Sequence, residues 1–192
     1  RSGMPVEIAK RPWLERAVFA ALLGVLLVDL VWPNGAAAGA LAAVAAALLA
    51  ARLAHWHGHR TLAIPIVWIL HVGYGWLVIA LALKSAFLLG GAAWAAQWLH
   101  ALTAGAFGTM ALGVMTRVAL GHTGRPLVAA RPIVAAYVLV ICGALLRVAG
   151  PALFPAQLLA LLAAAMIVWA AAFVIFIAVY LPILIGPRAD QA

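Results

Sequence analysis

The feature that most constrains this chain is a succession of apolar stretches, each about twenty residues long and each ended by a short break of Pro, Gly or charge. A helix of about twenty residues rises roughly 30 Å at 1.5 Å per residue, which is the thickness of the hydrocarbon core of a bilayer. Such stretches occupy nearly all of the 192 residues, so no length remains for a separate soluble domain. Composition agrees: 69% of residues are hydrophobic and 8% charged, where a soluble domain carries roughly 25% charged residues, and the mean hydropathy is +1.19. A soluble core is excluded. The length has room for about six or seven crossings with short turns, and six is the reading: an all-α, polytopic transmembrane bundle forming one domain over 1–192.

The breaks place the spans. Helix one is expected at about 13–32, ended by Pro33-Asn34-Gly35, and helix two, Ala-rich and suited to close packing, at about 36–53. Helix three is expected at about 62–83 and helix four at about 92–117, with the polar run Gly121-His122-Thr123-Gly124-Arg125-Pro126 read as a loop. Helix five is expected at about 133–149, stopped by Gly150-Pro151, and helix six at about 156–181, stopped by Pro182. Six spans put the N-terminus, the two–three loop, the four–five loop and the C-terminus on one side. That side collects Arg1, Lys10, Arg11, Arg16, Arg52, Arg60, Arg117, Arg125, Arg131 and Arg188, ten of the twelve basic residues, against Lys84 and Arg147 on the other. Basic residues are retained on the cytoplasmic side, so both termini are predicted cytoplasmic.

The same rule accounts for the net charge of +8 and the pI near 11.2. No aromatic-interleaved basic surface accompanies them, so the expected partner is the lipid bilayer and not nucleic acid. The single cysteine, Cys142, lies inside an apolar stretch and reads as an inert thiol. The start at Arg1-Ser2-Gly3, without Met or a signal-peptide pattern, reads as a cut inside a longer protein.

Ionisable groups at membrane depth are costly and mark candidate functional residues, which selects His71, His100, Asp29 and Arg147. From the expected helix ends, His71 lies about 14 Å into helix three and His100 about 12 Å down helix four from the opposite end. Those depths differ by roughly 4 Å in a core of about 30 Å. Two level imidazoles on consecutive antiparallel helices can ligate one metal, with bis-His heme the simplest fit. Gly73 and Gly75 flank His71, and Ala101, Gly105, Thr109 and Gly113 form a small-residue stripe beside His100. Such a stripe means close helix contact first and room for a porphyrin second. The competing reading of each histidine is an interhelical hydrogen bond, to Thr103 or a backbone carbonyl for instance.

His55, His57 and His59 alternate through the two–three loop, where a surface metal site would need an extended segment. Interfacial basic residues explain them as well. His122, flanked by Arg117 and Arg125, is a ligand, a propionate contact or a solvated interfacial residue. Arg147, near the outer end of helix five, either snorkels or holds heme carboxylates in bidentate geometry. Asp29 is expected to snorkel, with pairing to Arg147 or proton carriage as the alternatives.

Several stretches resemble the NnrS family: Trp68-Ile69-Leu70-His71-Val72-Gly73-Tyr74-Gly75-Trp76-Leu77, then His100-Ala101-Leu102-Thr103-Ala104-Gly105-Ala106-Phe107-Gly108-Thr109-Met110. The run Met115-Thr116-Arg117-Val118-Ala119-Leu120-Gly121-His122-Thr123-Gly124-Arg125-Pro126-Leu127 is similar to the family's most distinctive signature. Ala136-Tyr137, Leu146-Arg147-Val148 and Tyr180-Leu181-Pro182 also fall where the family has similar residues. The resemblance implies a polytopic protein of the bacterial inner membrane with heme b and copper, associated with nitric oxide metabolism, denitrification and resistance to nitrosative stress. It implies that the chain is the C-terminal half of a longer protein whose upstream half is a further partner. By position it makes His71, His100 and His122, with Arg117, Arg125 and Arg147, the functional candidates, without dividing the histidines between heme and copper. The expected function is heme binding, with nitric oxide as ligand. The alternatives are a quinol-linked electron-transfer cytochrome subunit, which would need further membrane histidines, and a cofactor-free transporter or structural bundle.

Overall fold

A computed structural model describes residues 11–189, and all the regular structure among them is helical. Six long helices follow one another: α1 (Pro12–Val31), α2 (Ala36–His55), α3 (Pro65–Gly90), α4 (Ala93–His122), α5 (Arg131–Leu153) and α6 (Leu158–Ile185). Five of them, α2 to α6, are long and apolar enough to cross a membrane. The first has the length but carries Glu15, Arg16 and Asp29. Lipid offers no partners to the backbone, so an apolar run of this kind closes its hydrogen bonds within a helix. Proline at the first turn starts α1, α3 and α5, where its missing N–H costs nothing. Gly91, at φ 59°, ends α3 in the left-handed conformation open to glycine.

Several boundaries differ from the sequence expectation, for one reason. Within an apolar medium a helix that stops early leaves carbonyls without partners, so helices run on past weak stop signals. The third helix extends to Gly90, which draws Lys84 inside it. The fourth continues through His122, so that histidine closes a helix and does not sit in a loop. Helix α5 passes through Gly150-Pro151 to Leu153, and α6 passes through Pro182 to Ile185.

Helix α4 is not uniform. An α-helical turn, Trp98–His100, leads into a π-helical segment, Ala101–Phe107, and α-geometry resumes at Gly108–His122. The wider π turn leaves a carbonyl turned outward at Ala104, and the Trp169 indole of α6 donates to it at 3.1 Å. Trp169 has this position because Gly108 and Gly143 carry no side chain. A Cβ on Gly143 would lie 2.8 Å from the Trp169 Cβ and 2.9 Å from its Cα and N, and one on Gly108 would lie 2.9 Å from the indole.

Helices α3 and α4 pack antiparallel with a readable register: Gly73 meets Met110, Gly105 meets Trp76, and Gly113 meets Ile69 and Leu70. The small-residue stripe Ala101, Gly105, Thr109 and Gly113 is therefore the contact with α3, and close packing is what it provides. It makes no room for a porphyrin.

The two carboxylates of α1 are held by its neighbours. Glu15 pairs with Arg52 of α2, Oε2 to Nη2 at 2.6 Å, and Arg52 also donates to the Tyr74 hydroxyl at 3.2 Å. Toward its other end, Asp29 forms an ion pair with Lys84 of α3, whose side chain is 1% exposed and whose Nζ sits 4.8 Å from the Trp98 ring centroid. Asp29 thus neither snorkels nor pairs with Arg147. Of the charge count made on the sequence, Arg1 and Lys10 lie outside the described residues.

Candidate functional site

The register of α3 against α4 decides the fate of the level histidine pair. The contacting positions put the residue opposite His71 near Ala111, whereas His100 lies eleven residues nearer the start of α4. That is roughly 16 Å along the axis. The two imidazoles are therefore not level and share no pocket. His71 belongs to the end of the bundle that carries the α2–α3 and α4–α5 connections, and His100 to the opposite end.

At the His100 end, α4, α5 and α6 line an open cavity of about 490 Å³, with Phe107 and Met166 exposed at its rim. That is the size range of small-molecule and cofactor sites. Its walls are largely apolar and include Phe107, Leu162, Met166 and Trp169. Its polar lining includes Thr103, His100 and Arg147, and the last two are in contact. The Arg147 Nη1 donates to Gln97 Oε1 at 2.8 Å, and its Nη2 is hydrogen-bonded to the His100 Nε2. A guanidinium only donates, so Nε2 accepts, and the imidazole is neutral with its proton on Nδ1. Thr103, one of the partners named in the competing reading of the histidines, donates to its own Leu99 carbonyl at 2.9 Å. Arg147 points inward and does not snorkel.

The guanidinium has no carboxylate partner. Glu15 and Asp29, the acidic residues among those described, are engaged by Arg52 and Lys84. A guanidinium beside a largely apolar cavity, satisfied only by neutral acceptors, can accept an anionic group in charge-assisted hydrogen bonds.

At the other end His71 is clamped. Its Nδ1 lies 3.1 Å from the Val67 carbonyl, the Trp56 ring meets it edge-on at 5.9 Å between centroids, and a Cβ on Gly58 would lie 2.7 Å from its ring. The loop reaches this position through His57, held at φ 51°, the one non-glycine residue with positive φ among those described. An Nδ1–H donated to a carbonyl leaves Nε2 as the available lone pair, the arrangement of metal-ligating histidines. The ring borders a smaller cavity of about 360 Å³ together with His59 and Trp68.

Arg117, His122 and Arg125 are far from His100. Arg117 is seventeen residues along α4 from it, roughly 25 Å. Arg125 donates to the Thr123 carbonyl at 3.4 Å. Of the arginines named from sequence, Arg147 alone lines the His100 cavity. Among the described residues no three His, Cys, Asp or Glu side chains converge on a point where they could hold a metal ion. The sequence reading passed over Gln97, Gly143 and Trp169. Gln97 carried a usable signal, since it stands three residues before His100 and so shares its helix face. Gly143 and Trp169 carried none, because their meeting joins residues from two helices.

Fold and cavity together define a class: a multi-pass membrane helix bundle with a ligand-sized apolar pocket in which a neutral imidazole stands beside an uncompensated arginine. Within that class the chain belongs to the NnrS family, whose model, described as NnrS protein, matches residues 1–188. Membership makes it a nitric-oxide-related membrane protein. No curated protein and no solved structure matches the chain.

Proposed function

We propose that the chain binds heme b in the His100 cavity and that the bound heme is its means of handling nitric oxide. The observation that carries the reading is the His100 and Arg147 contact. One neutral imidazole and one guanidinium seeking an anion, set in apolar walls, are the groups needed by a ligand that is flat, apolar, metal-containing and fringed with carboxylates. His100 would supply a nitrogen ligand to the iron, and Arg147 would hold a propionate. Bound heme would supply an iron on which a small apolar gas can bind. The chain would contribute ligation, charge and an apolar wall.

A bis-His arrangement finds no support, because His71 lies at the other end of the bundle. His71 is instead proposed as an independent ligand position, and Arg117, His122 and Arg125 can serve only a group bound at that same end. For copper the described residues do not fit, since no three ligating side chains converge among them. The basic residues also support an inner-membrane orientation with both termini cytoplasmic. Its two exceptions, Lys84 and Arg147, are held inside the bundle by Asp29 and by Gln97 and His100.

The test is the optical spectrum and heme content of the purified protein after expression with added heme, with and without nitric oxide. A Soret band that shifts with the gas, is lost in His100→Ala and is kept in His71→Ala is expected. A protein without a Soret band, or His100→Ala with unchanged heme, overturns the proposal.

A further inference from the structure

The one imidazole lone pair in the larger cavity is already taken by a cation. We infer that Arg147 makes this cavity selective: it closes His100 to bare metal ions and opens it to a metal complex that brings its own anionic groups. The second half rests on the heme reading given above; the first half stands without it.

Two contacts fix the guanidinium fork. Nη1 is donated to Gln97 and Nη2 to His100, acceptors three residues apart on one face of α4. A metal ion at Nε2 needs the lone pair that Nη2 occupies, so the ion must displace the arginine and then remain near it. Because both acceptors are neutral and the described carboxylates are engaged elsewhere, the full positive charge faces the incoming ion. A dication about 4 Å from that charge loses at least ~10³-fold in affinity even at an effective dielectric near 20. Nothing offsets the loss, because no three ligating side chains converge at any point among the described residues.

A carboxylate reverses the situation. Its paired oxygens accept both arms of the fork in charge-assisted bonds, which are stronger than the bonds to Gln97 and His100 that they replace. A ligand that carries metal and carboxylate together therefore draws Arg147 off Nε2 while offering the metal to it. A bare ion can do only the second of these, and a carboxylate alone only the first.

The test uses zinc and heme separately on the full chain in lipid nanodiscs. Zinc binding is measured by competition with a chromophoric chelator, comparing each protein with its His100→Ala counterpart so that the other histidines cancel. Wild type and Arg147→Lys are expected to show no zinc that depends on His100. Arg147→Glu is expected to gain one such zinc per chain, and Arg147→Gln a weaker one. His100-dependent zinc in wild type, or no gain in either neutral or acidic variant, overturns the inference. Heme is then compared with its dimethyl ester, in which both carboxylates are blocked. Wild type is expected to prefer heme at least tenfold and Arg147→Gln to lose that preference. Equal uptake of both by wild type overturns the second half. Uptake of neither refutes the heme reading, and the zinc comparison still judges Arg147.

Discussion

The Asp29 and Lys84 ion pair makes an asymmetric prediction. Lys84 is 1% exposed on its side chain and Asp29 31%. Replacing Asp29 by Asn leaves an ammonium sealed inside the bundle, with only the Trp98 face, 4.8 Å away, to compensate it. Removing one partner of a buried pair typically costs about 3–5 kcal/mol, and a cation–π contact returns about 1 of it. Asp29→Asn is therefore expected to destabilise by roughly 2–4 kcal/mol. Lys84→Met leaves instead a carboxylate that already reaches the surface, and the expected cost is roughly 1–2 kcal/mol. In the double variant neither charge remains, and its stability should fall within about 1 kcal/mol of wild type. The assay is equilibrium unfolding in mixed micelles by steric trapping, run as a double-mutant cycle. Equal costs for the two single variants would refute the asymmetry drawn from their exposures, and a double variant whose cost is the sum of both would mean that the charges do not see one another.

Three further outcomes follow from close contacts. Gly143→Ala puts a Cβ within 3 Å of the Trp169 backbone, which forces α5 and α6 apart; a loss of about 1–3 kcal/mol in the same unfolding assay is expected, with lower heme retention if the cavity is the heme site. Gly58→Ala puts a Cβ 2.7 Å from the His71 ring, so the ring should turn and its Nδ1 bond to Val67 break, visible as a shifted imidazole signal by nitrogen-15 NMR. Thr109→Val replaces a buried hydroxyl that has no partner by an isosteric methyl, and a change between zero and about 1 kcal/mol of stabilisation is expected; a clear loss would show that the hydroxyl is bonded.

Much of the architecture was legible in the sequence because it is dictated by a one-dimensional quantity. Apolar length against bilayer thickness yields the six helices, and Pro33 marks the end of the first, whereas the start of the third at Pro65 was drawn three residues early. The errors at Pro151 and Pro182 came from treating proline as it acts in water, where a broken helix can hydrate its carbonyls. His100 and Arg147 were both legible as costly polar residues at depth, and both line the cavity.

Their partnership was not. The choice of His71 as partner for His100 rested on an α3 drawn to about 83 where it runs to Gly90, and seven residues shift relative depth by roughly 10 Å, about two helical turns. The π segment, and the fit of Trp169 against Gly108 and Gly143, depend on backbones meeting across three helices. By itself the sequence determined how many helices there are, that they suit a membrane and which residues are too polar to lie there without purpose. Which of those residues touch was decided only by the tertiary structure, because interhelical register is set by small contacts such as Gly73 on Met110 and Gly105 on Trp76, and no periodicity along one strand of sequence encodes its alignment with another.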